Sequence, residues 1–102
     1  MQNHIARSVR FPIIAGKKAE FTKLFNSEVL PMLKAQDGFK NEIMLVNDDH
    51  VLGISVWSGP DKLNEYATTI YPKIEQKLSS LMKGKVEVET FEMGLPLNVV
   101  PA

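Results

Sequence analysis

Residues 39–57, FKNEIMLVNDDHVLGISVW, decide the fold. Two runs rich in aliphatic side chains, Phe39 to Asn47 and Val51 to Trp57, flank Asn47-Asp48-Asp49-His50, residues whose short polar side chains bond nearby backbone and favour a tight reversal. The stretch reads as a hairpin of two antiparallel strands. In the second strand, alternation puts Leu52, Ile54 and Val56 on one face and Val51, Gly53, Ser55 and Trp57 on the other. The first face is expected to pack on helices. The second, with two small residues beside one large aromatic, is expected to wall a cavity.

Upstream of the hairpin, Ile5, Arg7, Val9, Phe11 and Ile13 recur with a period of two, which predicts a strand over about His4 to Ile13 that ends at Pro12 or lies at an edge. From Lys17, the apolar positions Phe21, Leu24, Phe25, Val29, Met32 and Leu33 follow helical spacing. Pro31 falls inside that helix and predicts a kink in its last turns, and Asp37-Gly38 is expected to stop it, with Gly38 left-handed at C′. Downstream of the hairpin, Ser58-Gly59-Pro60-Asp61 reads as a helix start capped by Ser58. Leu63, Tyr66, Ala67 and Ile70 form its stripe, Tyr71-Pro72 interrupts it, and Ile74, Leu78 and Leu81 carry a second segment. Lys85 to Phe91 alternates as the fourth strand.

Strand, helix, strand, strand, helix, strand is the βαββαβ order of the α+β, ferredoxin-like split βαβ fold: a four-stranded antiparallel sheet with its helices on one face. One domain is expected over residues 1–93, with a proline-bearing apolar tail over 94–102. The uncovered sheet face, expected to carry Trp57, Val51, Phe91 and Val9, would be an apolar patch that calls for a partner, and a homodimer packed through the open sheet faces satisfies it, with the tail able to cross the interface.

Twelve Lys and Arg balance twelve Asp and Glu in 102 residues, so no net field recruits nucleic acid or an anionic membrane. The chain has no cysteine, which excludes disulfides, thiol nucleophiles and thiolate metal sites. The apolar run Phe11 to Ala15 is too short for a signal segment, and no run approaches the ~20 residues of a membrane span, so a soluble, cytoplasmic protein is expected. There is no phosphate-binding glycine loop, no Gly-x-Ser-x-Gly and no His-Glu-x-x-His.

Gly16 before the Phe21 helix, Val29-Leu30-Pro31-Met32-Leu33, the Asp37-Gly38-Phe39 junction, and Ser55-Val56-Trp57-Ser58 running into Leu63-Asn64-Glu65-Tyr66 together resemble the antibiotic biosynthesis monooxygenase (ABM) family of dimeric α+β barrels, over Ile5 to Met93. The resemblance implies one of several activities. Some members are cofactor-free oxygenases of polycyclic phenols or quinols, in which Trp and Tyr orient a substrate that itself supplies the electrons. Others degrade haem with a strand-one Asn, a Trp and an iron-binding His. Here those three positions fall near Val9, Trp57 and Ala67, so the resemblance implies neither haem chemistry nor another cofactor.

The candidate ligand-pocket residues are Trp57, Tyr66, Ser55, Arg7 and Tyr71. Trp57 could stack on a planar ligand or donate its indole N–H, or simply be core. Tyr66 shares the stripe of Leu63, and Tyr71 sits at the helix break; each could equally pack its ring. Arg7 could clamp an anionic ligand, although an ion pair with Glu87 or Glu89 on a neighbouring strand is favoured. His50 beside Asp48 and Asp49 reads as a solvated turn, and no metal site is expected. Two functions are consistent with these residues: a cofactor-free oxygenase acting on a small aromatic or quinol-type substrate, and a non-catalytic dimer that binds a small ligand or serves as a scaffold. The first requires polar groups to converge on an apolar cavity, and the second does not.

Overall fold

The period-two pattern at the N-terminus is realised as β1 (Ile5–Pro12). In the computed structural model, which describes residues 4–97, β1 lies in the interior of a four-stranded sheet ordered β2-β3-β1-β4, with β2 (Phe39–Val46), β3 (His50–Trp57) and β4 (Glu87–Glu92). Every neighbouring pair is antiparallel. β1 stops at Pro12, as the missing N–H requires. The hairpin closes through a hydrogen bond from the Asn47 N–H to the His50 carbonyl at 2.8 Å. Residues 98–102, most of the expected tail, lie outside the described residues.

The helix after Gly16 is broken into α1 (Lys18–Leu24), one π turn (Phe25–Val29) and α2 (Leu30–Lys34). The expected kink at Pro31 therefore takes the form of a π turn just before it, where the proline ring displaces the carbonyls of the preceding turn. The turn also aligns the core. Phe21, Phe25, Val29 and Leu33 are four residues apart, a spacing that drifts by about 40° per step on an ideal 3.6-residue helix. The wider π turn takes up that drift, and all four side chains are buried against the sheet. The Phe21 ring lies 5.4 Å from Phe11 and 6.4 Å from Phe25.

Gly38 is left-handed (φ +85°), but in the turn before β2 and not at the helix C′ position. A Cβ there would come within 2.6 Å of Lys62 Cβ and Cγ, so the junction admits only glycine. The second helical layer is α3 (Pro60–Thr69) and α4 (Tyr71–Leu78), closed by a 3₁₀ turn at Ser79–Leu81. Gly59, not Ser58, occupies the N-cap of α3, and no side chain caps it; Pro60 opens the first turn as expected.

The assignment of the two β3 faces is reversed. Val51, Gly53, Ser55 and Trp57 lie under the helices with Ile5, Arg7, Val9 and Phe11, and Val51 and Trp57 are fully buried. Leu52, Ile54 and Val56 belong to the open face, and so does Phe91, which pairs with Ala6. Trp57, Val51 and Val9 therefore do not make up the uncovered patch. Its apolar residues include Ile43, Leu45 and Phe91, which are 44%, 53% and 48% exposed. Small residues at Gly53 and Ser55 mark space beneath helices, not a surface turned away from them.

Candidate functional site

The site is a row of three polar side chains across the middle of the helix-covered sheet face. Ser55 on β3 is opposite Arg7 on β1 and opposite Glu42 on β2. Arg7 and Ser55 follow from simple alternation. Glu42 does not, because Phe39 and Glu42 differ in parity yet both face the helices. A bulge between Phe39 and Asn41 inserts one residue and turns the rest of the strand over. The Glu42 N–H then donates to Asn41 Oδ1 at 2.9 Å. The same bulge sends Ile43 and Leu45 outward.

Tyr66 of α3 and Tyr71 of α4 cover the row. Together with Val9, Phe11, Phe25, Val29, Leu33 and Ile74 they line, with Arg7, Glu42, Gly53 and Ser55, a partly open cavity of about 20 Å³, room for about one water molecule. Gly53 makes the floor: a Cβ there would stand 3.2 Å from Glu42 Oε1. The Arg7 guanidinium carbon lies 4.6 Å from the Tyr71 ring centroid, a cation–π contact. The Tyr66 ring is 6.3 Å from Tyr71 and stacks on Trp57 at 4.5 Å.

Three buried side-chain atoms among the described residues have no hydrogen-bond partner, Arg7 Nε, Glu42 Oε2 and Tyr71 Oη, and all three residues line this one cavity. Burial pushes the Glu42 carboxyl up to about 8, so it is mostly protonated at neutral pH. Burial pushes the Tyr71 hydroxyl up to about 12, with the Glu75 charge adding and Arg7 opposing through its charge and its approach to the hydroxyl, an approach whose geometry falls short of a formed hydrogen bond. Tyr66 is held well above the ordinary tyrosine range by burial first and then by Glu42, with Arg7 again opposing.

Of the residues singled out in the sequence, Arg7, Ser55, Tyr66 and Tyr71 are brought together at the cavity wall. Trp57 stands one step behind it, with its indole N–H donated to Ser55 Oγ at 2.8 Å and Phe39 edge-on at 5.5 Å. The favoured ion pair between Arg7 and Glu87 or Glu89 does not form. Both glutamates pair with Arg10 and Ser8 on the opposite sheet face, and Arg7 is opposite Thr90. Asp48 bonds Lys18 at 2.9 Å and Asp49 bonds His50 at 2.6 Å, so the hairpin residues do not converge on one point. A larger, open groove of about 410 Å³ beside Ser58–Lys62 and Glu92 lacks the buried unpaired atoms that mark the cavity.

Solved structures share this architecture. SnoaB, a cofactor-independent oxygenase from Streptomyces nogalater, matches with a TM-score of 0.76 at 20% identity, covering 93% of this chain and 97% of its own. The NE2512 protein of Nitrosomonas europaea, of unknown function, matches at 0.77 and 16%, covering 99% and 97%. A Caulobacter crescentus protein assigned as an antibiotic biosynthesis monooxygenase matches at 0.74 and 18%, covering 90% and 91%. No family model matches the sequence, and no curated protein matches it. The chain thus has the α+β, ferredoxin-like fold of the antibiotic biosynthesis monooxygenases, the fold that the sequence resemblance implied. Among the described residues, no helix is long and apolar enough to cross a membrane.

Proposed function

We propose that this chain is an ABM-type protein that acts as a cofactor-independent monooxygenase on a small phenol or quinol. The observation that carries the reading is the convergence of Arg7 Nε, Glu42 Oε2 and Tyr71 Oη, each buried and unpartnered, on one otherwise apolar cavity. Such atoms orient a hydroxylated ring and move its proton. In the net reaction, one atom of dioxygen becomes a new ring carbonyl and the other leaves as water. The substrate supplies both hydrogens and the electrons, so no bound redox group is required. SnoaB, of the same fold, is a cofactor-independent oxygenase. The test is oxygen consumption by the purified protein with small naphthols and naphthoquinols and no added cofactor. Uptake matched by a product that carries one atom of labelled dioxygen, without hydrogen peroxide, and lost in Tyr71→Phe, supports the reading; a wild-type protein inert to the whole panel, or one that forms quinone and hydrogen peroxide without incorporation, overturns it.

One observation favours a second reading, a non-catalytic dimer that binds a small ligand or serves as a scaffold. A cavity of about 20 Å³ admits no aromatic ring unless Tyr71, Phe25 or Ile74 moves. Saturable binding of a naphthol without turnover would support this alternative. Either reading goes with a homodimer joined through the open sheet face, where Ile43, Leu45 and Phe91 are half-exposed and two copies would cover each other. Sedimentation should give a dimer at micromolar concentration that Leu45→Glu dissociates, and a wild-type monomer removes this proposal.

A further inference from the structure

The groups that face the cavity carry an unbalanced charge. β1 contributes Arg7, β2 contributes Glu42, α3 contributes Tyr66, and α4 contributes Tyr71 with Glu75 behind it, while the segment Phe25–Leu33 presents only apolar side chains. At neutral pH the Glu42 carboxyl holds its proton and both tyrosines are neutral. Arg7 is cationic and makes no ion pair with Glu75 or any other carboxylate among the described residues. The Tyr71 ring face offsets part of that charge. A guanidinium with a buried, unbonded N–H is still costly to hold without an acceptor.

All three unpartnered atoms can act as donors in this state: Arg7 Nε–H, Tyr71 O–H and the protonated Glu42 carboxyl. Three donors and one positive charge around a space the size of a water molecule match an anionic oxygen. We propose that this cavity binds a small monoanion, or the anionic oxygen at the end of a larger ligand, through Arg7 and Tyr71, with Glu42 as the group that switches binding off at alkaline pH. The switch has a definite sign. Once Glu42 ionises, the cavity contains its own anion, and an external one is repelled. Neither the binding nor the switch depends on the chain being a catalyst.

Trp57 is the only tryptophan, bonds Ser55 and stacks on Tyr66, so its fluorescence reports on the cavity. Wild-type protein is titrated with sodium formate at constant ionic strength set with sodium sulfate, a dianion that the single positive charge of Arg7 does not match. A saturable change at pH 7 is expected, about tenfold weaker in Arg7→Gln and about tenfold weaker in wild type at pH 9. Glu42→Gln should bind formate at pH 7 and lose the alkaline decline. Sodium benzoate separates the two sources. Binding of benzoate as well as formate identifies the anionic end of an aromatic ligand, and binding of formate alone identifies a free small anion. No saturable response to either salt in wild type overturns the proposal, as does an Arg7→Gln protein that binds formate unchanged. If Arg7→Gln does not fold, the pH dependence of wild type against Glu42→Gln decides: parallel curves overturn the switch and a lost decline supports it.

Discussion

Gly53 lies directly beneath the Glu42 carboxylate, and a methyl group on Gly53 would stand 3.2 Å from Glu42 Oε1 and 3.4 Å from the Phe11 ring. The ring is fixed by its packing on Phe21, whereas the carboxylate is the free end of a flexible side chain. Gly53→Ala should therefore displace Glu42 and leave the strand intact. The entropy that alanine saves over glycine in the unfolded chain offsets the crowding, so stability should change by less than about 1 kcal/mol. The Glu42 carboxyl, pushed toward solvent, should titrate below 8 and nearer to its ordinary value of 4.5. Carbon-13 NMR of the glutamate carboxyls in wild type and variant checks this; an unmoved titration would show that Gly53 does not shape the site.

Gly38 presents the opposite case. Its left-handed backbone (φ +85°) and the 2.6 Å approach of Lys62 Cβ and Cγ leave no soft neighbour to yield. Lys62 is also held there by Asp37, 2.6 Å from its Nζ. Gly38→Ala should cost about 2–3 kcal/mol, mostly backbone strain plus the shift of α3 away from β2. Urea denaturation measures it; a loss under 1 kcal/mol would mean that the junction relaxes freely.

The fold was legible because its pattern is local. The period-two runs place β1, β3 and β4 to within a residue or two, the Asn47–His50 turn pairs β2 with β3, and Tyr71-Pro72 separates α3 from α4. The site was legible only in part. Alternation puts Arg7 and Ser55 each on one face of its strand and helical spacing puts Tyr66 on its stripe, but the Ser55 face reads as the open one and Tyr71 as a break where it opens α4. Glu42 was missed because one extra residue near Lys40 reverses strand parity, and the only local mark of it, Asn41 bonding the Glu42 N–H, is a single asparagine between strand residues. The sequence alone held no conflict: straight alternation buries Ile43 and Leu45 and exposes Glu42, and only the sheet shows two aliphatics exposed and a carboxyl turned inward. Departures of that kind concentrate at functional sites. The reversed faces of β3 have a similar cause, since Leu52-Gly53-Ile54-Ser55-Val56 is apolar or small on both sides, and only the helix layer decides which side is covered.

Trp57 connects the core to the site through one hydrogen bond, its indole N–H to Ser55 Oγ at 2.8 Å. Trp57→Phe keeps an aromatic ring between Phe39 and Tyr66 but removes the donor and part of the volume. Ser55, itself buried, is left without that partner. The expected loss is about 2–4 kcal/mol, combining the unsatisfied hydroxyl with the cavity left by the smaller ring. Trp57→Phe with Ser55→Ala should be no less stable than Trp57→Phe alone, because the orphaned hydroxyl goes too. Denaturant midpoints of the two variants test this, and a further drop on removing Ser55 would show that Ser55 has a second partner.

Glu42 should give the protein a stability that falls with rising pH through the neutral range. Its folded pKa is raised to about 8 from 4.5 by burial, so between those values the native state holds a proton that the unfolded chain has released. The native state binds more protons, and unfolding free energy declines as pH rises from about 4.5 to about 8, then levels off. The full effect is on the order of 3–5 kcal/mol, an upper range for a carboxyl desolvated to this degree. Glu42→Gln keeps the shape and cannot ionise, so its stability should be flat over the same window and should exceed that of wild type at pH 9. Urea midpoints at pH 5, 7 and 9 for both proteins measure the slope. A wild type as stable at pH 9 as at pH 5 would show that the Glu42 carboxyl stays hydrated in the folded protein and is not desolvated by the cavity.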